Sequence, residues 1–546
     1  MKKNLQRTIL VATTTVFLGI FAAFKVDYFE INKQLELFTG VFKEVNLYYV
    51  DDTEPAQLME KAMNGMLKSL DPFTVFIPES DVEDFKIMQT GQYGGIGSTI
   101  RLVDDKVVIS DLHEGFPADK AGLRPGDWIK AVDGINMVGK TTEEVSRVLK
   151  GSQGSSVNLT YEREGKEKTI AIKREEIQLK SVPYYGLIND TTGYIYLTSF
   201  TDKASKEIRD ALEELKKNHN ITRLVLDLRN NPGGLLSEAV NVTNIFVDKG
   251  TEVVSTKGRI KDVERTYYTL KSPVDKGIPV VVLINRGSAS ASEIVAGTLQ
   301  DLDRGVVIGQ RSYGKGLVQQ SHPLQYGSQI KITIAKYYTP SGRCIQAINY
   351  AEKDEDGSVK RIPDSLRTEF KTRAGRSVFD GGGVDPDINI DDEAASGILM
   401  SLVNNAHIFN YATIYVNKHP NIAPAGQFSL TDKEYLDFVK YLDDKHYEYS
   451  TRTEEILKQL NAIAEEEQYT GLTNDIKQLK QKAKELKNND LMIHKAQVKS
   501  YLEQEIAGRY YYQAGKIRQG LVGDPLIDAA LQTFDKEKYT KVLRAK

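Results

Sequence analysis

The spacing of apolar residues changes character several times along this chain, and each change predicts a different kind of element. Leu58, Ala62, Met63, Met66 and Leu67 recur at helical spacing and stop at Asp71-Pro72, which predicts a helix that ends there. From about Phe85 to Ile177 the apolar runs shorten and glycine turns separate them. Asp104-Asp105, between the strand-like segments 98–102 and 107–109, predicts a hairpin in a compact β-rich module. Beyond Val182 the pattern alternates. Strand 193–197, helix 204–217 and strand 224–228 are followed by a glycine turn, a helix, and the unbroken apolar run 278–284. A run with no polar alternation fits a strand covered on both faces, so this part is α/β with a mainly buried sheet. After about Glu393 glycine thins and charge rises, and Ile476, Leu479, Ala483 and Leu486 mark an amphipathic helix suited to packing or dimerisation. Segment 351–376, rich in charge, reads as a surface insertion loop.

The expected layout is residues 1–25 as a signal peptide or membrane anchor, 26–82 helical, 83–177 β-rich, 178–395 α/β with the insertion near 351–376, and 396–546 helical. A length of 546 residues fits several domains with ample core. Net charge is −3 and the basic residues are dispersed, which gives no electrostatic basis for nucleic-acid binding. At the N-terminus, Lys2, Lys3 and Arg7 precede an uncharged run over 8–24. Its end, Phe21-Ala22-Ala23-Phe24, lacks a small-x-small cleavage site, so an uncleaved anchor is favoured over a removed signal peptide. The sole cysteine, Cys344, excludes an intrachain disulfide and a lipidated N-terminal cysteine. The sequence shows no metal-ligand spacing, Rossmann pattern or P-loop, so neither metal nor cofactor is expected.

The chemistry is concentrated at Asn285-Arg286-Gly287-Ser288-Ala289-Ser290-Ala291-Ser292-Glu293, where a buried strand turns into a helix and can present a serine. Lys315, between Gly314 and Gly316, lies 25 residues after Ser290. A lysine can accept a serine proton only if burial favours its neutral amine, and flanking glycines permit close backbone approach. Asn231-Pro232-Gly233-Gly234 is a second glycine turn at a strand end. Two other patterns compete. Ser312-Tyr313-Gly314-Lys315 matches a Ser-x-x-Lys motif that normally opens a helix, which two glycines oppose. His322 stands outside these motifs, with no motif-matched carboxylate to complete a triad.

Gln92-Tyr93-Gly94-Gly95-Ile96-Gly97, the run Pro117-Ala118-Asp119-Lys120-Ala121-Gly122-Leu123-Arg124-Pro125-Gly126-Asp127, Val132-Asp133-Gly134 and the helix 142–149 closely resemble a PDZ domain. That resemblance implies capture of a peptide C-terminus as an added strand, with Gly94, Gly95, Ile96 and Gly97 as the carboxylate-binding loop. Together with the serine and lysine motifs, Asp71-Pro72-Phe73-Thr74, Asp227-Leu228-Arg229-Asn230-Asn231-Pro232-Gly233-Gly234, Thr339-Pro340-Ser341-Gly342-Arg343 and Gly383-Val384-Asp385-Pro386-Asp387 make the chain resemble the carboxyl-terminal processing proteases of family S41.

The fold implied is multidomain α/β: a PDZ domain and a crotonase- or ClpP-like protease core, with helical regions at both ends. The resemblance implies Ser290 as nucleophile, Lys315 as general base and Gln319 as its orienting partner, with Ser288 and Ser292 in packing roles. For the oxyanion hole it implies the amide of Ala291 and one from Gly233 or Gly234, which the sequence leaves open. Expected partners are protein or peptide C-termini, the membrane through the N-terminal segment, a further copy of the chain, and an adaptor lipoprotein if one delivers cargo. The expected location is the periplasmic side of a bacterial inner membrane, and family members can hold the dyad misaligned until the PDZ domain moves. Two rivals stand beside this reading: a catalytically idle PDZ scaffold, and an acyl-CoA hydrolase on a crotonase-like sheet.

Overall fold

The computed structural model describes residues 28–350, 352, 359–391 and 395–544. The signal or anchor expected over 1–25 lies outside the described residues. Among the described residues no helix is long and apolar enough to cross a membrane. The chain divides after Phe76. The first unit holds helices Tyr28–Tyr48 and Pro55–Lys68. Pro55 stands in the first helical turn, where its missing N–H costs nothing. The Asp71 carboxylate then closes the turn by accepting from the amides of Phe73 and Thr74, both at 2.8 Å.

In the second unit the β-rich module forms as its pattern predicts. Strands Ser98–Val103 and Lys106–Leu112 pair antiparallel, and Asp104 and Asp105 both take positive φ at the turn between them. That conformation matches the twist of a two-residue hairpin, and aspartate tolerates it. Strands Trp128–Val132, Ser156–Arg163 and Lys166–Lys173 extend the sheet, while Gln92–Gly95 pairs with Glu175–Gln178 where the module joins the core. Helix Thr142–Leu149 starts at a capping box in which Thr141 and Glu144 exchange side-chain and backbone bonds. Its Val145 and Leu149 pack with Ile96, Ile109, Ile129, Val157 and Leu159.

The core sheet runs, in spatial order, Tyr184–Asn189, Thr192–Tyr196, Arg223–Asp227, Val280–Ile284, Val306–Gly309 and Ile388–Asn389. The first pair is antiparallel and the rest are parallel. Successive side chains of a strand point to opposite faces, and Val280–Ile284 shows both faces filled. Val280, Val282 and Ile284 pack beneath helices Ala204–His219, Leu236–Asn244 and Ala291–Asp301. Val281 and Leu283 face the other way, where Leu526, Ile527 and Ala530 of helix Pro525–Thr533 cover them. The C-terminal region therefore completes the core. In a second sheet Gln329–Tyr338 pairs antiparallel with both Leu317–Pro323 and Glu252–Gly258.

Three further C-terminal helices, Gly397–Asn404, His407–Lys418 and Asp432–Tyr441, pack with the first half of Lys495–Gly520 around Leu402, Ala412, Phe438 and Leu502. The long helix kinks at Tyr511 and at Tyr512, whose φ is 55°. There the Tyr512 hydroxyl donates to Asp119 of the β-rich module at 2.9 Å, and Arg509 reaches the Ser110 carbonyl. On helix Thr473–Lys487 the stripe read from sequence is split: Ile476 is buried, whereas Leu479 and Leu486 are exposed. The described later part of 351–376 is more than a passive loop. Arg376 binds Asp303 and Asp387, Arg367 binds Asp385, and a short hairpin pairs Glu369–Lys371 with Ser377–Phe379.

Candidate active site

Strand Val280–Ile284 ends in a turn that delivers Ser290 to the cap position of helix Ala291–Asp301. Ser290 has φ 55° and ψ −112°, a conformation an L-residue holds only when its surroundings impose it. The Asn285 carboxamide accepts from the amides of Asn230 and Gly287, and the Ala289 amide donates to the Asn231 carbonyl at 2.9 Å. The Ser288 hydroxyl donates to the Leu228 carbonyl at 2.8 Å and the Ser292 hydroxyl to the Asn231 carbonyl at 2.9 Å. Both flanking serines are fully buried, so packing holds them, while Ser290 is only half-buried.

The glycine turn meets the serine turn edge to edge. A Cβ on Gly233, whose φ is 102°, would stand 2.9 Å from the Ala291 amide nitrogen and 2.8 Å from the Ser290 Cβ, so no side chain fits there. The Gly233 amide donates to the Asn231 side chain at 2.9 Å. For the amides of Gly234 and Ala291 no acceptor is found among the described residues. The turn is anchored from below by Arg229, which is ion-paired with Asp227 and, at 2.7 Å, with Asp524 from the start of helix Pro525–Thr533.

Lys315 comes from the loop that precedes strand Leu317–Pro323. Gly314 takes φ 87°, and a Cβ there would stand 2.3 Å from that of Ala347. Glu293 joins this loop to the serine turn. One carboxylate oxygen accepts from the Ser290 amide at 2.7 Å and the Lys315 amide at 2.9 Å; the other accepts from the Gly314 amide at 2.7 Å and the Ser312 hydroxyl at 2.5 Å. Burial raises the pKa of Glu293 to about 7, against the pull of these four hydrogen bonds. Tyr337 adds a second tie, its hydroxyl lying 2.9 Å from the Lys315 carbonyl and 3.1 Å from that of Ser290.

The structure thus brings Ser290, Ala291, Gly233, Gly234 and Lys315 into one neighbourhood. Gln319 stands on the strand that follows this loop, where its side-chain nitrogen donates to the Thr333 hydroxyl at 3.2 Å. Ser312, from the competing Ser-x-x-Lys pattern, is buried and bonded to Glu293 and the Val384 amide. His322 sits exposed further along the strand. Sequence reasoning gave no role to Glu293, Tyr337 or Asp524. Only Glu293 carried a local signal, as the glutamate three residues after a capping serine.

The loop expected over Gly94 to Gly97 is divided between a strand and a turn. Gly94 and Gly95 belong to a strand paired with Glu176 and Glu175, and Ile96 and Gly97 alone form the turn. The Ala118 amide binds the Ile96 carbonyl at 2.7 Å and the His113 amide binds that of Gly97 at 3.0 Å, while the amides of Ile96 and Gly97 have no acceptor among the described residues. They border a recess of about 70 Å³ lined by Tyr93, Ile100, Ser146 and Leu149. Among the described residues no group of His, Cys, Asp and Glu could hold a metal ion.

Three family models match separate stretches of the chain. The family model described as peptidase family S41 matches residues 191–355, a PDZ domain model matches 108–163, and a model for a probable PDZ-protease C-terminal helical domain matches 398–534. A carboxy-terminal-processing protease of Bartonella bacilliformis is 40% identical over 322 residues, covering 58% of this chain and 73% of that protein. A probable CtpA-like serine protease of Staphylococcus aureus strain N315 is 36% identical over 342 residues, 62% of this chain and 68% of that one. Among solved structures, a photosystem II D1 C-terminal processing protease aligns at 28% identity and TM-score 0.36, covering 68% of this chain and 96% of that one.

Proposed function

From the premise that this chain belongs to peptidase family S41, as a PDZ-containing serine protease of the carboxy-terminal-processing kind, we propose that it is an endopeptidase that captures protein C-termini and cleaves near them with a Ser290–Lys315 dyad. Carrying this reading is the Glu293 carboxylate, one oxygen of which holds the amides of both dyad members, at 2.7 and 2.9 Å. In the reaction the neutral Lys315 amine takes the Ser290 hydroxyl proton as the serine oxygen bonds to the scissile carbonyl carbon. The oxyanion that forms needs two amide donors. Ala291 and Gly234 supply them, because the Gly233 amide is already bonded to Asn231. Collapse of the intermediate breaks the C–N bond, and the lysine ammonium returns the proton to the leaving amine. Water then hydrolyses the acyl-serine by the same steps. With its nitrogen turned to Thr333, Gln319 has its carbonyl oxygen left to orient the lysine amine.

Capture belongs to the PDZ module, where the amides of Ile96 and Gly97 receive the terminal carboxylate and the peptide lies along Ser98–Val103. Occupancy gates the dyad, a reading supported by the path from Ala118 and Asp119 beside that loop to Tyr512 at the helix kink, and on through Asp524 to Arg229 at the foot of the oxyanion turn. The basic, then apolar N-terminus directs the enzyme to the periplasmic side of the inner membrane, where exported proteins are its substrates. Exposed Leu479 and Leu486 supply a face for self-association. The test is incubation with an unfolded protein and, separately, an acyl-CoA thioester. This account expects cleavage of the protein, none of the thioester, and loss of cleavage but retained peptide binding in Ser290→Ala. Thioester hydrolysis, or binding without any cleavage, would overturn it.

A further inference from the structure

Tyr337 is 1% exposed and lies among the apolar side chains between the second sheet and the serine helix. A phenol hydroxyl taken this far from water must find a hydrogen-bond partner, and this one has two candidates that are the backbone carbonyls of the two proposed dyad residues. A hydroxyl has one proton to give. The Ser290 carbonyl already accepts from the amides of Glu293 at 2.9 Å and Ile294 at 3.0 Å. The proton is therefore best spent on the Lys315 carbonyl, which is also the nearer at 2.9 Å, with the Ser290 carbonyl on its flank at 3.1 Å.

Geometry adds a second hold from the same residue. The Tyr337 amide donates to the Gly316 carbonyl at 2.9 Å, so strand Gln329–Tyr338 grips the lysine loop at two consecutive carbonyls, one from its backbone and one from its side chain. The loop needs such a grip because it carries a glycine on each side of Lys315 and has little stiffness of its own. Ser290, for its part, is held at a φ of 55° by the surrounding bonds. Glu293 ties the lysine loop to the serine turn from the side of their amides, and Tyr337 is the contact that reaches the same two residues from the side of their carbonyls.

We propose that Tyr337 is a positioning residue for peptide cleavage: its buried hydroxyl fixes the Lys315 backbone against that of Ser290 and so sets the reach of the lysine amine to the serine oxygen. Tyr337 touches neither substrate nor reacting atoms. The inference rests on the dyad reading, and its effect falls on the chemical step and not on substrate capture, since a misplaced base costs transition-state stabilisation without changing how the peptide is held.

The experiment compares Tyr337→Phe, Ser290→Ala and Lys315→Ala in the full chain, measuring kcat and KM on an unfolded protein substrate, the rate of covalent labelling by a fluorophosphonate, and peptide binding. Tyr337→Phe keeps the ring and removes one oxygen. It is expected to lower kcat and the labelling rate together by roughly tenfold, the worth of one hydrogen bond, with KM and peptide binding near wild type. Replacing Tyr337 with 4-aminophenylalanine, which restores an N–H donor at the same site, should recover most of the loss and guards against a variant that merely folds poorly. Unchanged kcat in Tyr337→Phe, a loss confined to KM, or no recovery with the amino analogue would overturn the inference. Wild-type cleavage by Ser290→Ala or Lys315→Ala would instead overturn the dyad reading beneath it.

Discussion

Glu293 is a fully buried carboxylate, surrounded by four donors that come from two different loops. Ionised, it can accept all four; protonated, it gives up acceptor capacity at the junction of the serine and lysine turns. Its pKa is raised from 4.5 to about 7, so the folded protein holds this proton more tightly than the unfolded chain does. The stabilising contribution of that linkage is full below pH 4.5 and is lost as pH rises through about 7. Glu293→Gln should remove this slope: urea unfolding at pH 5 and at pH 8 should show wild type losing stability relative to the variant between the two. The variant should also lose about a hundredfold in kcat, as the turns it joins shift, with KM little changed. A parallel pH dependence for the two proteins, with kcat preserved, would remove the clamp from the account. Ser290 and Lys315 were legible because their motifs are local in sequence. Glu293 stands in the same stretch, where an acidic residue in a first helical turn is common and signals no special role, and Tyr337 is 47 residues from Ser290 and reaches it only through the tertiary fold.

Local pattern served well for elements with one dominant constraint. The hairpin at Asp104-Asp105 and the apolar strand Val280–Ile284 stand where periodicity put them. The kink in Lys495–Gly520 had no such signal, because it falls at Tyr511 and Tyr512 and not at a proline or glycine. Tyr512 breaks the helix to pack on the PDZ core and bond Asp119, a cause that lies in another domain. The peptide loop also differed from its motif. Four residues resembled a carboxylate cradle, but Gly94 and Gly95 are paired with Glu176 and Glu175 as strand, and the amides of Ile96 and Gly97, with no acceptor among the described residues, are the ones proposed to receive the carboxylate. A free terminal carboxylate facing two amides makes charge-assisted bonds, so amidating the C-terminus of a peptide should weaken its capture by about 1.5–3 kcal/mol. Fluorescence anisotropy with matched acid and amide peptides measures this. Equal affinities would contradict recognition through that turn.

Across the whole molecule, the buried character of the core sheet was legible, but the segment that covers its second face was not. An unbroken apolar strand requires two apolar partners without saying where in the chain they lie. The second partner is helix Pro525–Thr533, more than two hundred residues beyond Val280–Ile284. Removing everything after residue 400 would uncover Val225, Val281 and Leu283, so the product should aggregate. A milder probe is Leu526→Ala, which empties part of that interface at a residue 1% exposed and should cost about 2–5 kcal/mol in urea unfolding. A cost within error of zero would mean the helix does not seal the sheet in solution.

The proposed function rests on the Lys315 amine acting as the base for Ser290, and replacing that amine by a group that keeps its charge but cannot give up its proton tests the proposal most directly. Arginine is such a group. The measurement is the initial rate of unfolded-protein cleavage by Lys315→Arg, with folding checked by circular dichroism and by peptide binding. The account predicts a fall of about 10²–10⁴-fold, the usual worth of a general base. A well-folded Lys315→Arg enzyme that cleaves at close to the wild-type rate would contradict it.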